Sequence, residues 1–165
     1  MGIDPSRADG LGDMRIEVTT STELDRWVSE RHYLQSSPAG ARLRLWIIDS
    51  NGDRIGAMMW GRPTARSLDS VNLLELTRMY LIDDTEPFAE SKALSMARKY
   101  IRKHYPQIKG LLAYSSTEVG HAGTVYLADG WFPFGYTKQR KQGWSNRDQR
   151  TDRDNSRKIR WLRSP

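Results

Sequence analysis

The run Leu111 to Trp131, LLAYSSTEVGHAGTVYLADGW, holds the clearest signal in the chain, because a strand, a turn and a short helix follow one another in it. Leu111-Leu112-Ala113-Tyr114 is an apolar run of strand length, and Ser115 to Gly123 breaks it. Thr124 to Asp129 carries helix formers, with Gly130 at the C′ position where helices end in the left-handed conformation. Gly130-Trp131 opens a further strand. The helix presents one tyrosine, Tyr126, to whatever cleft the preceding strand borders. A phenol has a reference pKa of about 10, so near neutrality it keeps its proton and can donate it. The plain alternative is a packed helix tyrosine whose hydroxyl a neighbour satisfies.

Upstream, Arg15 to Val18 reads as a strand and Thr22 to about Leu34 as a helix, in which Leu24, Trp27, Val28 and Arg31 keep helical spacing. Thr22 or Ser21 supplies its N-cap, and Glu23 and Asp25 suit its positive end. Gln35 to Ala41 is a loop. Leu43, Leu45 and Ile47 alternate with Arg42, Arg44 and Trp46, Asn51-Gly52 marks a tight turn, and Ile55 to Trp60 returns as a hairpin ended by Gly61-Arg62-Pro63. Leu73 to Ile82 is the next strand. Ala89 to His104 is an amphipathic helix with Ala93, Ala97, Tyr100 and Ile101 on its buried stripe, closed by Pro106. Strands at Gly110 to Tyr114, Trp131 to Thr137 and Ser156 to Leu162 give the order β-α-β-β-β-α-β-α-β-β, without internal repeats.

At 165 residues, 38% of them hydrophobic and six of them tryptophan, the chain suffices for one domain with its own core. Residues 1–13, MGIDPSRADGLGD, have no apolar periodicity and are set aside as a leader before a natural start near Met14, which leaves 14–165 as a single domain. No apolar run approaches the ~20 residues that span a bilayer, and no signal segment opens the chain, so a soluble, cytoplasmic protein without a membrane partner is expected. The absence of cysteine excludes disulfide scaffolds, thiolate metal sites and a cysteine nucleophile, so any metal ligand is His, Asp, Glu or Tyr.

The net charge of +6 is uneven: Lys138 to Arg163 holds ten Lys/Arg against three Asp, a net of +7, and the remainder carries −1. Within it, the polar loop 138–155 is too long for a simple hairpin connection. Basic residues interleaved with Trp144 and Trp161 are the footprint of a protein that grips a polyanion by its phosphates. Lys138, Arg140, Lys141, Arg147, Arg150, Arg153 and Arg157 are the phosphate-contacting candidates. A solvated tail is the alternative.

The spacing of Ala122, Tyr126, Gly130 and Trp131 resembles the last helix of the GCN5-related N-acetyltransferases, and the order of elements resembles their α/β fold, a mixed central sheet with a splayed parallel strand pair and flanking helices. The resemblance implies a coenzyme A thioester, acetyl-CoA or a related acyl-CoA, whose arm pairs with strand backbone near Met79, Tyr80 and Leu81. It implies that Tyr126 faces the sulfur and protonates the leaving thiolate. It also implies a phosphate-binding turn at the start of the central helix, where unpaired N–H groups and the helix dipole attract anions. The matching segment, Phe88-Ala89-Glu90-Ser91-Lys92, has no glycine. Ala89 and Ser91 are small and Lys92 adds charge, but Glu90 repels phosphate.

HYL at His32 to Leu34, LELTRMYL at Leu74 to Leu81, AES at Ala89 to Ser91 and GHAGTVY at Gly120 to Tyr126 together resemble the phage Mom-type DNA-adenine modification proteins, over most of the chain after Met14. That family alters the N6 amino group of adenine to a methylcarbamoyl-type adduct that shields phage DNA from restriction. The implied partner is double-stranded DNA, with the target adenine extruded from the stack. Arg78, Ser91 and Tyr126 match the family's functional arginine, serine and tyrosine. His32 is a further candidate, as a base or an iron ligand, although no residue pattern calls for iron. Where an acidic residue is expected after the strand ending at Tyr114, this chain has Ser115-Ser116. The plain alternatives are an ion pair of Arg78 with Glu75, a helix-capping Ser91, and a core-edge His32 on the face of Val28. His121 sits in a turn within reach of DNA, and Arg62 is set at a base pocket with Trp60 and Tyr33.

An adenine-modifying enzyme is therefore expected, of unspecified oligomeric state. Its rivals are an ordinary N-acetyltransferase acting on protein, transfer RNA or a small amine, and a DNA-binding module on the same scaffold. The adenine amine is a poor nucleophile because its lone pair is delocalised into the ring. An adduct joined through a methylene carbon is also not the product of attack on a thioester carbonyl.

Overall fold

The computed structural model describes residues 14–32, 40–82, 88–117, 122–137 and 157–165. Their elements are β1 (Arg15–Thr19), α1 (Glu23–Arg31), β2 (Ala41–Ile48), β3 (Arg54–Gly61), β4 (Leu73–Leu81), α2 (Ala89–His104), β5 (Gly110–Ser116), α3 (Ala122–Ala128), β6 (Phe132–Tyr136) and β7 (Lys158–Arg163), in the expected order. They build one sheet, β1-β2-β3-β4-β5-β7-β6, in which only β4 and β5 are parallel.

Helices cover both faces of this sheet. On one, Leu43, Leu45, Met58, Trp60 and Leu74 pack with Ala93, Leu94, Ala97 and Ile101 of α2. On the other, Leu24 and Val28 of α1 pack with Trp46, Ile48, Ala57 and Met59. Trp46, which alternation groups with Arg42 and Arg44, is thereby buried, at 1% exposure. Helix α1 stops at Arg31 rather than near Leu34, since His32 is already extended (φ −71°, ψ 145°). Thr22 is its N-cap residue without a side-chain bond, and the Ser21 hydroxyl accepts the Glu23 N–H instead, at 3.1 Å. Strand β5 runs past Tyr114 to Ser116 because β7 pairs with it to the end, and α3 starts at Ala122, ahead of Thr124. Gly130 takes φ +76° just beyond α3, as its C′ placement requires.

The central feature is a parting of strands. β4 and β5 pair at Leu73↔Gly110, Leu74↔Leu111 and Glu75↔Leu112, and no further. The physical cause lies one strand over. Met59 of β3 pairs with Arg78, but Trp60 pairs with Leu76, so Thr77 is an extra residue in β4. Such a bulge bends its strand and increases the local twist. The Thr77 hydroxyl pins it by donating to the Met59 carbonyl at 3.0 Å. The bulge also switches the alternation of side chains. Leu74 and Leu76 before it and Met79 and Leu81 after it join the α2-side core, and Tyr80 meets Trp27 of α1 at 5.7 Å. Glu75 and Arg78 therefore share the α1 side although their numbering would separate them.

Candidate functional site

The gap between β4 and β5 has a different chemistry on each side. On the α2 and α3 side stands Tyr126, 7% exposed, stacked on Trp161 with centroids 5.7 Å apart and edge-on to Trp131 at 5.4 Å. Trp161 lies opposite Ala113 and donates its indole N–H to the Ser115 hydroxyl at 2.8 Å. Packing thus sets the ring beside the part of β5 that has left β4. The helix carrying it is anchored by a buried clamp. Arg98 of α2 donates two bonds to Asp129, Nε to Oδ2 at 2.7 Å and Nη2 to Oδ1 at 2.6 Å, and the Trp131 indole adds a third at 2.8 Å. Read in sequence, Asp129 merely precedes a helix-ending glycine, so only its isolation in an apolar stretch hints at this role.

On the α1 side, β4, β5 and β7 assemble a polar cluster. Glu75 is 5% exposed, and its Oε1 accepts both the N–H and the hydroxyl of Thr64 at 3.0 Å. Arg78 stands on the same side, where its charge acts on Glu75, and its Nη1 donates to the Thr77 carbonyl at 2.8 Å. Tyr114 lies opposite Arg160 in register, and its hydroxyl accepts from Arg160 Nε at 3.2 Å. Sequence reasoning missed Thr64, Glu75, Tyr114, Lys158 and Arg160 as site residues, because a bulge and a strand pairing bring them together rather than a motif.

Electrostatics follow from this grouping. Burial, then the positive charges of Arg78 and Lys158, lower the His32 imidazole from 6.5 to about 4, so it is neutral near pH 7. Burial raises the Glu75 carboxyl above its ordinary range against the Thr64 bonds and the charges of Lys158 and Arg78. Burial and the Glu75 charge raise the Tyr114 phenol. A stability prediction follows for His32. Its contribution is intact above 6.5 and is lost as pH falls from 6.5 towards 4, where the unfolded chain binds a proton that the folded one refuses. The urea midpoint should therefore drop between about pH 7.5 and about pH 5, and less so in His32→Gln. Glu75 titrates in the opposite sense, so the comparison of the two proteins isolates His32. Equal drops in both would refute the assignment.

The remaining candidates fall as follows. Ser91 sits in the first turn of α2, where its hydroxyl donates to the Phe88 carbonyl at 3.0 Å. Phe88 is the N-cap residue, at φ +68°, and takes the left-handed conformation usual for glycine. Ala89 is buried, and Glu90 is the acidic residue of that turn. Met79, Tyr80 and Leu81 lie on the stretch of β4 beyond its last pair with β5. Arg78 and His32 are thus brought together, while Tyr126 and Ser91 stand on the other side of the sheet.

Arg62 is exposed and lines a pocket of about 350 Å³ with Gly40, Arg42, Gly61, Thr64 and Thr77, next to the bulge. Trp60 is fully buried in the α2-side core, so it does not line a base pocket. Arg157 holds its guanidinium 4.4 Å from the centroid of the Tyr136 ring. Tyr33, His121, Lys138, Arg140, Lys141, Arg147, Arg150 and Arg153 lie outside the described residues. Among those described, no three of His, Cys, Asp or Glu gather as metal ligands, and no helix is long and apolar enough to cross a membrane.

Known proteins share this architecture. Ribosomal-protein-S5-alanine acetyltransferase from Vibrio fischeri superposes with a TM-score of 0.64 at 10% identity, over 92% of this chain and 93% of that one. AAC(6')-Ib in complex with ribostamycin and coenzyme A superposes with a TM-score of 0.65 at 10% identity, again over 92% and 93%. Such identities speak for the fold alone, which is that of the GCN5-related N-acetyltransferases. Methylcarbamoylase mom from Escherichia phage Mu is 29% identical over 127 residues, 72% of this chain and 52% of that protein, so the chain spans about half the length of that relative. The model of the Mom protein family matches residues 13–164, which takes in both sides of the gap, the Thr77 bulge and the Tyr126 helix. On that match the chain belongs to the Mom protein family.

Proposed function

We propose that this protein modifies the N6 amino group of adenine in DNA, protecting phage DNA from restriction in the host cytoplasm, by transfer from acetyl-CoA or a related acyl-CoA. The observation that carries this reading is membership of the Mom family in a chain whose splayed sheet has Tyr126 on one side and His32 with Arg78 on the other.

The residues present fit a coenzyme A arm. Beyond Glu75, β4 has no pairing with β5 among the described residues, which leaves backbone amides for an extended ligand to bond. The left-handed Phe88 lets a glycine-less turn lead into α2, at the positive end of its dipole. A bound thioester would supply a carbonyl carbon for the amine to attack and, as the carbon–sulfur bond breaks, a thiolate leaving group. The chain's own part is proton traffic and placement. Tyr126, a protonated phenol, would donate its proton to the sulfur of a bound thioester as it leaves. The adenine amine gives up one proton to solvent as its bond to carbon forms, with neutral His32 accepting a hydrogen bond from it. Arg78, always charged, orients the donor group or a phosphate. Extruding a duplex adenine costs a few kcal/mol, which phosphate contacts from the basic 138–157 segment offset.

The test is to digest DNA from expressing cells to nucleosides and weigh them. A new adenine species is expected, and its mass and fragmentation identify the reacting carbon of the donor. Unmodified DNA beside newly acetylated protein or RNA would refute the proposal in favour of an ordinary N-acetyltransferase. Unmodified DNA with salt-sensitive DNA binding alone would leave a binding protein.

A further inference from the structure

Strand β6 is exposed at all five of its residues, and it carries aromatics: Phe132 is 63%, Phe134 56% and Tyr136 61% accessible. Residues directly opposite one another in an antiparallel pair share a face. Phe132 lies opposite Leu162, which lies opposite Leu112, and Arg160 lies opposite Tyr114. The register slips by one residue between Pro133 and Tyr136, where Gly135 takes φ +80°, so Phe134 precedes the extra residue and faces Arg160, on the same side as Phe132. These side chains form the α1-side face of β5, β7 and β6, whereas Pro133 and Trp161 form the face that meets Tyr126. Helix α1 packs its apolar residues on β2 and β3 and leaves this end of the sheet to other partners.

Two phenylalanines held more than half exposed on one face need a reason, since apolar patches with a polar rim mark interaction surfaces. The charge around them selects the partner. Lys158 and Arg160 lie on the same face as the phenylalanines, and both belong to the C-terminal stretch of net charge +7. A second copy would bring the same excess of positive charge, whereas a polyanion complements it. Aromatic side chains on an open sheet face, interleaved with cations, suit a strand of unstacked bases, whose rings stack on the aromatics while the backbone meets the cations. Successive same-face residues on a strand are about 7 Å apart, which lets Phe132 and Phe134 serve neighbouring bases of a drawn-out strand.

We infer that the α1-side face of β5, β7 and β6 binds unstacked nucleotides of a DNA strand, with Phe132 and Phe134 as the stacking pair and Arg160 as a phosphate contact. The face runs from the open edge of the sheet across β7 and β5 to the mouth of the gap, where Glu75, Arg78 and His32 lie. It therefore holds the nucleotides next to an extruded base rather than the base itself. The choice of DNA as occupant rests on the proposed function; the surface itself does not depend on the chemistry.

The experiment is fluorescence anisotropy with a labelled single strand of about 12 thymidines, titrated over a range of salt. Thymidine carries no target amine, so binding is read apart from modification. Phe132→Ala and Phe134→Ala should each weaken binding about tenfold at an unchanged salt slope. Arg160→Gln should lower the slope by about 0.7. As exposed positions, both phenylalanines should tolerate alanine with little change in melting temperature. Absent binding by the unaltered protein, or unchanged affinity in the Phe132→Ala/Phe134→Ala double variant, would overturn the inference. So would a sedimentation shift from dimer to monomer in that variant with DNA affinity intact, which would make the strip a contact between copies. Phe-dependent strand binding in a protein that leaves adenine unmodified would sink the modification reading and keep this surface.

Discussion

Tyr126→Phe is expected to cut adenine adduct formation by about 10²- to 10⁴-fold, the usual contribution of a positioned general acid. The substitution removes one oxygen and leaves the ring, whose stack on Trp161 and edge contact with Trp131 hold it in place. DNA affinity should not change. A fall in kcat with little change in KM would place the hydroxyl in the transition state rather than in binding. The buried position also allows a purely structural reading, and the same variant separates the two. A hydroxyl that serves only packing would show its loss as lower stability, by about 1 kcal/mol for a typical buried hydrogen bond, with the rate per folded molecule retained. Full adduct formation with unchanged stability would refute both roles.

The elements were legible in the sequence because each rests on a local signal: helical spacing in Ala89 to His104, the Asn51-Gly52 turn, and Gly130 after a short run of helix formers. The parting of β4 and β5 followed from the order of elements and the family resemblance, not from residues. Which side chains share a face was not legible. Period-two alternation puts Glu75 and Arg78 on opposite sides, and the bulge at Thr77 reverses this. No local pattern announces that bulge, since Thr77 is a good strand residue. The cluster of Glu75, Tyr114, Lys158 and Arg160 is likewise assembled by pairing between strands more than thirty residues apart in sequence. Trp46 erred for a related reason, since alternation says nothing about a helix covering the second face. Tyr126 was legible because helix, turn and glycine place it locally.

The largest loss of stability is expected from Arg98→Met, about 3–5 kcal/mol, because it leaves Asp129 buried without its counter-charge. The Asp129 side chain is 4% exposed and that of Arg98 10%, so water cannot replace the missing partner. For a domain of this size the loss corresponds to a fall in Tm of roughly 6–20 °C. Arg98→Met combined with Asp129→Leu should recover much of it, since a buried pair replaced by apolar groups leaves no lone charge. The recovery measures their coupling in a double-mutant cycle. The clamp also has a reach into chemistry. Asp129 lies three residues beyond Tyr126, and Trp131, which donates to Asp129, is one wall of the tyrosine's packing. Loosening it should let α3 shift against α2, so Arg98→Met protein assayed cold, where it is still folded, should form adduct more slowly per folded molecule. Wild-type rates under those conditions would mean that the stack on Trp161 alone positions the phenol and that the clamp serves stability only.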